Sequence, residues 1–87
     1  MNECKLAQVV MLLGDRAPGF MPALALDSAS QRLFDYLDDP TLKNKKRLVK
    51  ILSLLKAICE VEIEDMNVLG ESQYYCSLTT LTKELSS

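Results

Sequence analysis

Residues 40–59 predict a long α-helix with one side that has to be buried. Apolar side chains recur at intervals of three and four residues, and a projection at about 100° per residue gathers them on one side. They are Leu48, Ile51, Leu52, Leu55, Ile58 and Cys59. Asp39 is a suitable cap for this helix, and Pro40 suits its first position. The rest of the chain has to supply a matching apolar surface.

The same helix carries a row of cations on a different face. They are Lys43, Lys46, Arg47 and Lys50. The row lies about 130° from the apolar centre, within the first three turns. Six of the ten basic residues of the chain fall between positions 43 and 56 with no acid among them, and five acids follow between positions 60 and 71.

Beyond the cations this helix is apolar nearly all round. Leu54 and Ala57 continue the line that the cations begin, while the buried side runs on unchanged. We therefore expect the second half of the helix to be covered on both sides.

Length and composition limit what the chain can do. Its 87 residues suffice for one domain, 1–87, and 48% of them are hydrophobic, which is typical of a folded protein. The chain has no histidine, which excludes histidine triads, histidine-ligated zinc and histidine acid-base chemistry. The three cysteines are widely spaced, so we expect buried thiols and no metal site. We expect no enzyme activity, no cofactor and no small-molecule substrate.

Two features predict a cytoplasmic protein with no membrane contact. The apolar stretch 6–13 is far shorter than the ~20 residues of a membrane span. Met1–Lys5 carries one acid and one base, and so lacks the positive end of a secretory signal.

Two helices are predicted before residue 39. Asn2 is a suitable cap for the first helix, and Gly14 is placed to end it. Its apolar side consists of Leu6, Val9, Val10 and Leu13. Asp27 or Ser28 is a suitable cap for the second helix. Its apolar side consists of Leu33, Phe34 and Leu37.

The C-terminal part fits two different structures. Apolar and polar residues alternate around Val61 and Ile63, and again through Tyr74, Cys76 and Leu78. This period of two predicts a β-hairpin, and hence a helix-rich α+β fold of three helices and a C-terminal hairpin. The alternative is a helix, because another set of residues fits helical spacing. That set is Tyr74, Leu78, Leu81 and Leu85. It predicts an all-α four-helix bundle.

The order of two short helices, a basic helix, a strand, a loop and a strand resembles a winged helix-turn-helix domain over residues 29–81. The segment that resembles the recognition helix of that family is KNKKRLVKILSLLKAI. The segment that resembles its wing is VEIEDMNVLGESQYYCSLT. The resemblance implies that the start of the third helix enters the major groove of DNA, with the wing on the backbone nearby.

We therefore expect a small non-catalytic regulator that binds double-stranded DNA through its third helix. Lys43, Lys46 and Lys50 would neutralise phosphates. Arg47 and Asn44 are the candidate base readers, since arginine suits guanine and asparagine suits adenine. We expect a homodimer, which would double the number of phosphate contacts and hide apolar surface that a small fold leaves exposed.

The alternative is a small acidic protein-protein interaction module, such as an inhibitor or an adaptor. Segregated charge steers association with another protein, and the acids that follow the third helix would then bind a basic surface. The candidate partner-binding residues are Glu60, Glu62, Glu64, Asp65 and Tyr75. Tyr75 belongs to this set because a hairpin that turns Tyr74 inward turns Tyr75 outward.

Overall fold

Apolar residues at helical spacing form the core side of helices along residues 3–86, including the part in which we expected strands. The computed structural model describes residues 3–86 and consists of five α-helices joined by short connections. They are α1 (Glu3–Gly14), α2 (Ala23–Asp38), α3 (Leu42–Glu62), α4 (Met66–Glu71) and α5 (Gln73–Ser86). Residues 3–86 contain no strand.

Four of the helices form a closed ring around one core. The helix α3 packs between α2 and α5, the same two helices flank α1, and the short α4 packs on α5. The most deeply buried side chains come from α1, α2, α3 and α5. They are Leu13, Leu33, Leu48, Leu52, Leu55, Cys59 and Leu81. This is the all-α architecture of our alternative, with α4 as an additional short helix.

The predicted β-hairpin, and with it the α+β fold class, is wrong. The segment compared with a wing, 61–79, contains the last two residues of α3, the whole of α4 and the first half of α5. The alternation at the end of α3 does not reflect a two-sided strand, because Val61 is 72% exposed. The glutamates at 60 and 62 are good helix formers, and α3 ends only where the Ile63 amide donates to the Cys59 carbonyl at 2.8 Å.

Burial explains why residues 73–86 form a helix. The side chains at helical spacing are the buried ones, namely Tyr74, Leu78, Leu81 and Leu85. Cys76, which a strand would turn inward with Tyr74, is exposed. A helix buries all four large side chains on one face, whereas a strand would turn Leu81 and Leu85 away from Tyr74 and Leu78. Tertiary packing therefore selects the period of 3.6 residues over the period of two.

Two of the predicted helix starts are also wrong. The helix α2 begins at Ala23, four residues before Asp27, and the Leu26 amide already donates to the Pro22 carbonyl at 3.1 Å. Proline needs no amide partner, so it suits this helix start. The cap of α3 is Thr41 and not Asp39, because Asp39 serves as the C-cap of α2.

The first helix is confirmed as α1, in which Leu6, Val9 and Leu13 are buried. Its proposed cap, Asn2, lies outside the described residues. In α2 the predicted apolar side is only partly correct. Leu33 is buried, but Phe34 is 51% exposed. The buried side of α2 centres on Ala29 and Leu33, which are one turn apart.

One polar atom of the core has no hydrogen-bond partner among residues 3–86. It is the hydroxyl of Tyr74, a side chain that is 5% exposed. Burial, followed by the nearby Cys59, raises the pKa of this phenol. A buried hydroxyl without a partner loses its hydrogen bonds to water on folding and gains none in return.

We predict that Tyr74→Phe stabilises the protein, because it removes that unpartnered hydroxyl and keeps the ring. The expected gain in the free energy of unfolding is about 1 kcal/mol. This corresponds to a rise in Tm of about 4–8 °C. Thermal denaturation followed by circular dichroism measures it. Tyr75→Phe is the matched control and should bring no gain, since the Tyr75 hydroxyl has a partner. A lower Tm for Tyr74→Phe would contradict this description of the core.

Candidate binding surface on the third helix

The candidate site is the outer face of α3, which α2 and α5 leave open. We divide it into a cationic half and an apolar half. The cationic half consists of Lys43, Lys46, Arg47 and Lys50. The apolar half consists of Leu54, Ala57, Ile58 and Val61. Both halves have the spacing i, i+3, i+4, i+7, so they form one continuous stripe of about 27 Å along the helix.

The four cations project into solvent together, as the sequence predicted. All four are exposed, and no acid within residues 3–86 forms an ion pair with any of them. Lys46 and Lys50 border a groove that the end of α5 lines with Leu85 and Ser86. No acid among the described residues therefore neutralises the cationic half, although α5 runs along one edge of it.

Arg32 of α2 joins this surface, which we did not anticipate from the sequence. It lines a second groove, between α2 and α3, together with Arg47 and Lys50. Arg32 pairs with Asp35 on its own helix at 3.6 Å, and both side chains are partly exposed. The signal was present in the chain: a link of only three residues, 39–41, makes α2 and α3 antiparallel neighbours. That arrangement brings Arg32 level with positions 47–50.

Asn44 joins two helices. Its side-chain amide donates to the Asp39 carbonyl at 2.8 Å and to the Asp35 carbonyl at 3.4 Å. Its backbone amide donates to the Thr41 hydroxyl, the cap of α3, at 3.3 Å. Asn44 thus gives a second donor, from the start of α3, to two carbonyls at the end of α2 that each also accept a backbone amide. Of the two candidate base readers, only Arg47 has a side chain that is exposed and free of such bonds.

The acids in the last turns of α3 and just after it divide into those whose carboxylates accept hydrogen bonds and those whose carboxylates do not. Glu60 accepts a hydrogen bond from the Tyr75 hydroxyl at 3.1 Å. Asp65 caps α4 by accepting from the amides of Asn67 at 2.9 Å and Val68 at 3.4 Å. Glu62 and Glu64 are exposed, and neither carboxylate makes a hydrogen bond or ion pair with another residue of 3–86. They leave negative charge at the C-terminal end of α3.

Tyr75 packs against the side of α3. Its ring is half-buried and lies 5.9 Å from the Lys56 ammonium, measured to the ring centroid. Burial and then the bond to Glu60 raise the pKa of its phenol. The structure thus places Tyr75 in a contact between α5 and α3, where its hydroxyl already has a partner.

Leu54, Ala57 and Val61 of the apolar half are exposed, contrary to the expectation that the second half of α3 is covered on both sides, whereas Ile58 is partly buried against the core. Leu54 is 49% exposed and Val61 is 72% exposed. The ring geometry explains this, since each helix of a four-helix ring has only two neighbours. The sequence carries the signal as Leu54, Ala57 and Val61, but it does not show how many helices surround α3.

The described residues contain no cluster suited to metal chemistry. Within 3–86, no three acidic or cysteine side chains lie close enough together to hold a metal ion. Cys59 is buried, and burial, followed by Glu60, raises the pKa of its thiol. Cys4 and Cys76 are exposed, so the expectation of buried thiols holds only for Cys59. No helix in the described part of the chain has the length and apolar character needed to cross a bilayer.

Comparison with known proteins gives no match to a family model, a curated protein or a solved structure.

We predict that Asn44→Ala lowers the free energy of unfolding by about 1 kcal/mol, because two carbonyls at the end of α2 lose their side-chain donor. Lys43→Ala is the matched control, since it changes an exposed neighbour without such bonds. It should leave the stability within about 0.5 kcal/mol. Urea denaturation of both variants measures the difference. Equal stabilities would show that Asn44 does not join the helices.

Proposed function

We propose that the protein is a non-catalytic module that binds another protein chain through the outer face of α3. The observation that carries this proposal is the exposed apolar half, which continues the same stripe as the cations. Six residues of the stripe follow one another at steps of four and three. They are Lys43, Arg47, Lys50, Leu54, Ala57 and Val61. This alternation is the spacing of a coiled-coil seam, in which one helix packs along another.

The stripe specifies the chemistry of its partner. An amphipathic helix that lies along α3 needs an apolar stripe over Leu54, Ala57 and Val61. Its other end needs acidic side chains over Lys43, Arg47 and Lys50, because these cations have no ion-pair partner within residues 3–86.

The free energies involved require both halves of the outer face to take part in binding a partner. Covering the exposed fractions of Leu54 and Val61 contributes on the order of 2 kcal/mol. A complex with a micromolar Kd requires about 8 kcal/mol. The apolar half alone is therefore too small to hold a partner, and the cationic half has to supply both affinity and orientation.

The proposed location of this module is the cytoplasm. Cys4, Cys59 and Cys76 are all free, and free thiols are typical of proteins in a reducing compartment.

We predict that a photo-crosslinking amino acid in place of Ala57 captures a protein in cells that produce the full chain. The same amino acid in place of Ala7, an alanine on α1 that is also exposed, is the matched control. Mass spectrometry of the adducts shows whether the captured molecule is protein or nucleic acid. We expect protein adducts from position 57 in clear excess over position 7.

The dependence of these adducts on Val61 tests whether the apolar half carries the binding. Val61→Asp should remove the adducts from position 57 and leave the Tm unchanged, since Val61 is mostly exposed. An absence of excess at position 57, or adducts to nucleic acid alone, would contradict the proposal.

Duplex DNA is a second candidate partner, favoured by the four exposed cations and by Arg32 across the adjoining groove. Binding of this kind would depend on phosphate contacts, because Arg47 is the one candidate base reader with an unengaged side chain.

We predict for this candidate that the logarithm of the binding constant falls with the logarithm of salt concentration at a slope of about −3.6, equal to −0.9 for each of four phosphates. Lys46→Ala together with Arg47→Ala should reduce the slope by about 2. Lys83→Ala, an exposed cation on α5, is the control and should leave it unchanged. Fluorescence anisotropy with a labelled duplex measures the slope. No binding at about 50 mM salt would rule out this candidate.

A further inference from the structure

We infer that the partner of the outer face of α3 is the α3 helix of a second copy of the chain, in antiparallel orientation. The two-fold axis crosses the helix between Leu54 and Ala57. This inference rests on the proposed function and names its partner.

The charge order along the helix selects the antiparallel arrangement. The cationic half lies before the apolar half, and the unengaged acids, Glu62 and Glu64, lie after it. A parallel pair would place cations beside cations. An antiparallel pair places Arg47, about 13 Å before the axis, near the C-terminal end of α3 of the second copy. Glu62 lies there in the last turn, about 10 Å beyond the axis, and Glu64 follows in the connection to α4. Because the contact is isologous, each such pairing occurs twice.

The apolar contacts match in the same register. The axis sets Leu54 of each copy against Ala57 of the other, which pairs a large side chain with a small one. Lys50 lies level with Val61 of the second copy. The aliphatic part of Lys50 can cover Val61, while its ammonium remains near the acids at 62 and 64.

The neighbouring elements leave room for this approach. Beside Leu54, the groove between α2 and α3 is lined by the short side chains of Ser28 and Ser53. Packed helices approach to about 8–10 Å, and short flanking residues permit that distance. The acids that a partner helix needs are thus present in this chain, at the C-terminal end of its own apolar half.

Analytical ultracentrifugation of the full chain at low salt tests the inference. We expect a monomer-dimer equilibrium with a Kd in the micromolar range, because a single helix pair is a small interface. Leu54→Asp should leave only monomer. The Tm of this variant should not change, since Leu54 is half exposed. Arg16→Glu, an exposed charge reversal in the α1–α2 connection, is the control and should dimerise like the unmodified chain.

Charge exchange tests the register. Arg47→Glu alone and Glu64→Lys alone should each weaken the dimer by about tenfold, because each sets like charges opposite one another twice. The double variant exchanges both partners and should restore the Kd to within about threefold of the original. If each single variant weakens the dimer and the double variant does not restore its Kd, this register is wrong.

The outcome separates this inference from the proposed function. A chain that stays monomeric up to about 1 mM overturns the self-pairing. If position 57 then still captures a different protein, the outer face of α3 remains a protein-binding surface with another partner. If position 57 captures nothing in excess of position 7, both proposals fail.

Discussion

The burial of one side of α3 between α2 and α5 organises this protein. Four core side chains, Leu48, Leu52, Leu55 and Cys59, have no measurable exposure and hold the helix in the ring. Since a helix is a rigid rod, fixing this side also fixes the direction of the opposite one. The cations and the apolar residues of the outer face are therefore displayed in a set order and at set spacings.

Local hydrogen bonds at the ends of α3 support this arrangement. At its start, Thr41 caps the helix, while Asn44 bonds to the last turn of α2. Beyond its end, Asp65 caps α4, so the chain turns toward α5. Tyr75 of α5 then bonds to Glu60 on the side of α3. These contacts use polar residues for structure, which leaves Lys43, Lys46, Arg47, Lys50, Glu62 and Glu64 as the charged groups near the outer face without a partner among residues 3–86.

The sequence was sufficient for the central part of α3 because its apolar side chains recur over about three turns. The exposed cations followed from the same projection. The sequence was insufficient for residues 73–86, where Tyr74 and Leu78 fit both periods and only the burial of Leu81 and Leu85 decides. The sequence also did not predict that Leu54 and Val61 are exposed, because an apolar residue on a helix is exposed or buried according to the number of neighbouring helices. Hydrogen bonds such as those of Asn44 depend on the distance between chain segments, which residue types do not encode individually.

The binding proposals all require that the outer face of α3 is open in the single chain. Methyl NMR of a dilute sample, with a soluble paramagnetic agent added, measures this exposure. We expect strong attenuation of the Leu54 and Val61 methyl signals and little attenuation of those of Leu52 and Leu55, which lie in the core. Leu54 and Val61 signals protected to the same degree as Leu52 would show that the chain covers this face itself, and that the outer face is not open.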